Sequence, residues 1–182
     1  MRRAVLAVLL LPFAAPAFAE DTAVAPPPPP PVFLTGTAPM TNNEGAAAGT
    51  VTLKDGNSGV LLRLELTGLT PGWHGLHLHE KGDCSDAAAG FKASGAHAGH
   101  GNGALHGLLN PSGPETGDLP NIYAAADGAA RAELFIAGMK VIDLVDGDGT
   151  AILVHAAEDD HMAQPIGGAG DRVACGVIEK DG

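Results

Sequence analysis

Between Thr50 and Lys54, Val51 and Leu53 alternate with Thr50, Thr52 and Lys54. A period of two puts one side-chain set on each face of a strand, so this stretch is predicted to be a half-buried strand. "DGNSG" supplies a turn, after which Leu62, Leu64 and Leu66 alternate with Arg63, Glu65 and Thr67. "GLHLHE" continues the same alternation and sets His77 and His79 on one face. "IYAAADGAARAELFI" predicts two strands around Asp127-Gly128. "KVIDLV" predicts another, followed by a turn at "DGDG", a strand from Ala151 to His155, and a last strand in "RVACGVIEK". No stretch of about 11 residues carries a helical period; "EDDHMA" offers one turn at most. The fold class predicted is all-β: an antiparallel sandwich or barrel of short strands with glycine-rich turns.

Two stretches do not read as strands, 81–121 and 156–171. Long loops in a compact domain are usually functional or disordered. The chain has eight histidines: His74, His77, His79, His97, His100, His106, His155 and His161. Most lie in these loops or at their edges. Two from one strand, one ending another and several from a glycine-rich loop can converge only if the loop folds back. Imidazole nitrogen suits copper and zinc, and carboxylate–imidazole mixtures suit zinc. The spacing by itself leaves two readings, a metal site or solvated loop histidines.

The N-terminus changes the setting. Arg2 and Arg3 precede an apolar stretch ending in Ala17-Phe18-Ala19, the pattern of a secretory signal cleaved after Ala19. It is short and broken by Pro12 and Pro16, a poor membrane span. Residues 20–31 follow as a spacer, with six consecutive prolines from Pro26 to Pro31 favouring extended polyproline II. That leaves 32–182 as one domain in a periplasmic or otherwise exported protein. The full chain carries 10 Lys and Arg against 21 Asp and Glu, a net charge of −11. Such acidity argues against nucleic acid as partner and against anionic membranes, and no membrane insertion is expected. Two cysteines in an exported chain favour one disulfide, with a pair of metal-ligating thiols as the alternative.

"HGLHLHEKGDCSD", "GDLPN", "LVHAAEDD" and "GDRVACGVI", in that order, resemble the signature blocks of the exported bacterial copper–zinc superoxide dismutases. The resemblance covers roughly residues 32–182. It implies an eight-stranded antiparallel Greek-key barrel, also described as a sandwich, with two long functional loops. It implies a superoxide dismutase with copper and zinc as cofactors and superoxide as substrate. His77, His79 and His155 match copper ligands, and His97 matches the imidazole shared by copper and zinc. His106 and Asp118 match zinc ligands. Asp159 matches the aspartate that links a copper histidine to a zinc histidine. Cys84 and Cys175 match the disulfide. Arg172 matches the cation beside the copper, with a catalytic role alongside His97. His74 matches a structural histidine, and His161 reads as a solvated loop residue.

The zinc side departs from the pattern. Where the family has a further histidine three residues before the aspartate, this chain has Glu115, and the loop carries an extra His100. Three arrangements remain open: Glu115 as a zinc ligand, His100 in place of the missing imidazole, or weak zinc binding and a copper-only dismutase. Asp171 departs too; on a strand it would point away from Arg172. Rival readings are a non-enzymatic periplasmic copper or zinc carrier on the same barrel, a purely structural β-sandwich, and a zinc hydrolase, for which the H-E-x-x-H pattern is missing. Monomer and homodimer are both compatible with the sequence.

Overall fold

A computed structural model describes residues 29–182; the predicted signal and most of the proline spacer lie outside the described residues. The domain from Val32 to Gly182 holds ten strands: β1 (Thr35–Asn42), β2 (Ala47–Asp55), β3 (Gly59–Leu66), β4 (Gly72–His74), β5 (Leu76–His79), β6 (Ile122–Ala124), β7 (Ala130–Ala137), β8 (Ala151–His155), β9 (Arg172–Val177) and β10 (Glu179–Lys180). A four-residue helix, α1 (Val141–Leu144), and two short 3-10 turns at 87–89 and 92–94 complete it.

All pairings are antiparallel, in the spatial order β4-β6-β7-β3-β2-β1-β9-β8-β5, with β10 on β1. The two ends of that order, β4 and β5, are joined through the single residue Gly75. The ladder therefore wraps back towards its own start as a nearly closed barrel, which removes most exposed edge. Gly75 takes part in the closure: its N–H donates to Ala157 (2.8 Å) and its carbonyl accepts from His155 N–H (2.9 Å). A Cβ there would sit 2.9 Å from Ala169 Cβ, closer than packing allows.

The alternation predicted for β2 and β3 is observed. Val51, Leu53, Leu62, Leu64 and Leu66 are buried in one core with Leu76, Leu78, Ile152 and Val154. A second small cluster, Phe91, Ala151, Leu153 and Cys175, lies beneath Cys84 and Ala87. It fastens the first long loop to β8 and β9, and the Cys84–Cys175 disulfide closes the same contact. β5 and β8 are consequently buried on both faces, one by the core and the other by loop.

Four features differ from expectation. "KVIDLV" is not a strand: Val141 and Leu144 are buried at a helical spacing, and Lys140 N–H donates to the Asp143 carboxylate (2.8 Å), which closes a turn. β1, rich in small residues and containing Pro39, gave no strand signal. Pro39 is tolerated because it lies between the stretch of β1 paired to β10 (36–37) and the stretch paired to β9 (41–42). The strands number ten rather than eight: β1 and β4 are added, "KVIDLV" is lost, and Ile178 splits the last expected strand into β9 and β10. The turn sought in "EDDHMA" falls later, at 164–168.

Candidate metal centre

β5 carries His77 and His79 on the face turned away from Leu76 and Leu78. Two isolated backbone bridges bind the loop to the free edge of β5: His79 pairs with His97, and His77 with Asp118. β8 ends in His155, opposite Arg172 at the start of β9. The barrel thus fixes three histidines, and the first loop is stitched across them to deliver a fourth.

One ligand atom from each of His77, His79, His97 and His155 lies within 4.8 Å of the others, and all four side chains are buried. Each ring is anchored through one nitrogen. His77 Nε2 donates to Asp159 Oδ2 (2.8 Å), His79 Nδ1 to Gly95 O (3.0 Å), and His155 Nδ1 to Gly170 O (2.9 Å). His97 Nδ1 faces Glu115 Oε2 (3.0 Å) and Asp118 Oδ1 (3.3 Å). The other nitrogens, His77 Nδ1 and Nε2 of His79, His97 and His155, are buried without a partner. Four unpartnered buried nitrogens in one pocket are costly unless something binds them. A copper ion fits that donor set. Burial, reinforced by Arg172 and neighbouring rings, lowers the His79 pKa to about 2; burial and His77 lower that of His155 to about 3. Burial also lowers that of His77. The rings are held neutral, as metal binding requires.

Next to this pocket, His97, His106, Glu115 and Asp118 form a second group with ligand atoms within 4.8 Å, all buried. His106 Nδ1 lies 2.7 Å from Asp118 Oδ1. Two buried carboxylates beside two imidazoles suit a divalent cation such as zinc. Burial favours the neutral acid at Asp118, but hydrogen bonds from His97, Gly107 N–H and His106 overcome it and lower the pKa to about 2. Asp159 joins the two groups, with Oδ2 on His77 and Oδ1 on His106 Nε2 (3.2 Å).

A family model described as copper/zinc superoxide dismutase matches residues 47–178. The chain belongs to the copper/zinc superoxide dismutase family. It is 54% identical over 149 residues to the Superoxide dismutase [Cu-Zn] of Caulobacter vibrioides, covering 79% of this chain and 84% of that one. It is 33% identical over 187 residues to the enzyme of that name from Brucella abortus, covering 98% and 100%. Among solved structures, it superposes on the Cu/Zn superoxide dismutase from Brucella abortus with a TM-score of 0.65, 32% identity and coverage of 80% and 99%. For a SOD-like protein from Bacillus subtilis the TM-score is 0.71, with 29% identity and coverage of 78% and 96%. This family uses copper and zinc, and the Caulobacter and Brucella relatives are oxidoreductases by name.

The remaining predicted residues take these places. Arg172 is anchored by the first loop: its guanidinium donates to Phe91 O (2.7 Å), Ser94 Oγ (3.1 Å) and Gly95 O (2.8 Å). It borders a cleft of about 590 Å³ with His155, Lys92 and Asn43. Asp171 precedes β9, so strand alternation does not turn it away; it is exposed and borders the same cleft. His74 binds two carbonyls, His155 O (2.6 Å) and Thr70 O (2.7 Å), and stays outside both groups. His100 stays outside the second group and instead faces Glu115. His161 is not solvated as expected: its side chain is 17% exposed, 3.4 Å from Asp159 Oδ2, and accepts from Asn121 Nδ2 (3.2 Å). Sequence reasoning missed Asn121, which accepts from Asp159 N–H (3.0 Å) and donates to Asp159 O (2.8 Å). It also missed Gln164, which grips the backbone of His106 at both N–H (3.2 Å) and carbonyl (2.8 Å). Gln164 grips the backbone and carries no pattern of its own; Asn121 ends the "GDLPN" block but holds Asp159 mainly through its backbone.

Proposed function

We propose that the chain is an exported superoxide dismutase whose copper is held by His77 Nδ1 and by Nε2 of His79, His97 and His155. Zinc is held by His97 Nδ1, His106 Nδ1, Glu115 and Asp118. The observation that carries this reading is the set of four partnerless buried nitrogens converging on one pocket. When bound, copper supplies a one-electron redox couple that zinc, being d¹⁰, cannot, so that two superoxide anions and two protons give dioxygen and hydrogen peroxide.

The side chains supply orientation, charge and proton handling. Asp159 fixes the tautomers of His77 and His106 by accepting from their Nε2 atoms, and backbone carbonyls do the same for His79 and His155. His97 keeps Nδ1 on the carboxylate side, so Nε2 is the atom that can take up and return a proton beside the substrate. Arg172 places a fixed positive charge in the cleft, where low-dielectric walls focus its field on an anion despite the acidic surface. Lys92 adds a second cation at the rim.

The leader at 1–19, followed by the proline spacer at 20–31, supports export to the periplasm. Among the described residues no helix is long and apolar enough to cross a membrane. Purified protein should begin at Glu20, contain one copper and one zinc per chain, and consume superoxide. Copper with no activity would instead indicate a metal carrier, and activity with copper alone a copper-only enzyme.

A further inference from the structure

Glu115 is the feature of the zinc group that sets this chain apart, and its geometry extends past the group itself. Its side chain is buried, yet only Oε2 faces the other zinc donors. Oε1 points the other way, 2.6 Å from His100 Nδ1. Among the described residues no other group hydrogen-bonds to Oε1. The His100 side chain is 57% exposed, so it buries little surface for the fold and is not in the core.

Local structure holds His100 in that place. His97 to His100 form a four-residue turn, with His100 N–H donating to His97 O (3.0 Å) and Gly99 at φ +80°. Glycine suits the third position of such a turn. Gly99 also packs tightly on the residue after Glu115: a Cβ at Gly99 would lie 2.5 Å from Thr116 Oγ1. The turn therefore links the shared histidine, His97, to an imidazole sitting directly over the outer oxygen of Glu115.

We propose that His100 is a positioning residue for zinc: it grips Glu115 Oε1 so that Oε2 is presented to the metal. This rests on the zinc assignment above. The physical need is clear from the side chain. Glutamate has three rotatable bonds, and immobilising a long side chain on binding costs conformational entropy. A second anchor on the far oxygen removes part of that loss beforehand and selects the carboxylate orientation. The extra histidine and the glutamate are thus one device.

The test uses purified protein carrying His100→Ala, His100→Gln, Glu115→Gln, and the double variant His100→Ala with Glu115→Gln. Zinc affinity is read by competition with a chromogenic chelator, and site geometry by the visible spectrum of cobalt(II) loaded in place of zinc. His100→Ala should weaken zinc roughly tenfold or more and alter the cobalt bands. His100→Gln, which keeps a donor N–H, should recover part of the loss. Adding His100→Ala to Glu115→Gln should change affinity little, because the single amide oxygen left cannot both accept from His100 and face the zinc. Unchanged zinc affinity and cobalt spectrum in His100→Ala would overturn the proposal. So would an equal loss in the wild-type and Glu115→Gln backgrounds, which would make His100 a ligand in its own right. Copper is counted in the same samples: failure to bind copper while zinc behaves as described would strike the dismutase reading and leave this one standing.

Discussion

The pockets proposed for copper and zinc meet at His97 and are linked by Asp159, but they are built from different material. The copper pocket takes three of its four histidines from strands, His77 and His79 on β5 and His155 ending β8, and three of its rings are anchored outside the zinc group. The zinc pocket takes all its donors from one loop, 97–118, and half of them are carboxylates. Strand donors inherit their positions from the barrel. Loop donors must be positioned one by one, by Gly107 N–H and Glu115 N–H on Asp118 Oδ2 (2.7 and 2.9 Å), by Gln164 on His106, and by His100 on Glu115. Preorganisation comes with the sheet in the first case and from added polar contacts in the second.

Removing the link between the pockets should have the largest effect. Asp159→Ala takes the acceptor from His77 and His106 together, so both copper and zinc affinity should fall, each by roughly tenfold to a hundredfold. Competitive chelation measured separately for the two metals checks this. A loss confined to one metal would mean that the pockets are independent of the bridge.

Acidification of the metal-free protein separates the pockets next. Burial holds His77, His79 and His155 below their ordinary pKa, so below about pH 6.5 the unfolded chain binds protons that the folded one refuses. Stability should fall as pH drops. His106 acts oppositely: burial disfavours its charge, but Asp118 and Asp159 outweigh burial and raise its pKa. Its contribution is fully present below pH 6.5 and is lost as pH rises through the folded value. Between pH 6 and 5 the His106 contribution is already nearly constant, so the three rings set the slope, and metal-free protein should lose on the order of 3–4 kcal/mol per pH unit. Urea midpoints in chelator should drop accordingly; a constant or rising midpoint would contradict the burial argument. Below about pH 4 a second loss follows as Asp118, ionised in the fold down to about 2, becomes protonated.

The same contrast governs what could be read in advance. Alternation exposes β2, β3 and β5 because a barrel wall has one apolar face, and it alone puts His77 and His79 on one face. Family blocks placed His155, Asp118, Asp159, Arg172 and both cysteines. The zinc side stayed open among Glu115, His100 and no stable zinc, since a loop has no period from which to compute which side chain turns inward. β1 was hidden by Pro39 and small residues, whose place depends on neighbours distant in sequence. Helix α1 was misread because "KVIDLV" suits either state, and a carboxylate at Asp143 decided it.

A smaller effect is expected at the rim of the cleft. Asp171 borders the same opening as Arg172 and Lys92 and opposes the approach of an anion. Asp171→Ser should raise the superoxide rate constant a few-fold at low salt, and the gain should shrink as ionic strength rises. Equal rates for variant and parent at every ionic strength would reject a steering role for this carboxylate.

The central claim is that four buried nitrogens meet at one copper ion. Anomalous diffraction at the copper edge, from crystals grown with copper and zinc, tests it most directly. A single strong copper peak bonded to His77 Nδ1 and to Nε2 of at least His79 and His155, with His97 Nε2 facing it, is the predicted result. Copper located elsewhere, or His77, His79 and His155 turned away from a common atom, would contradict it.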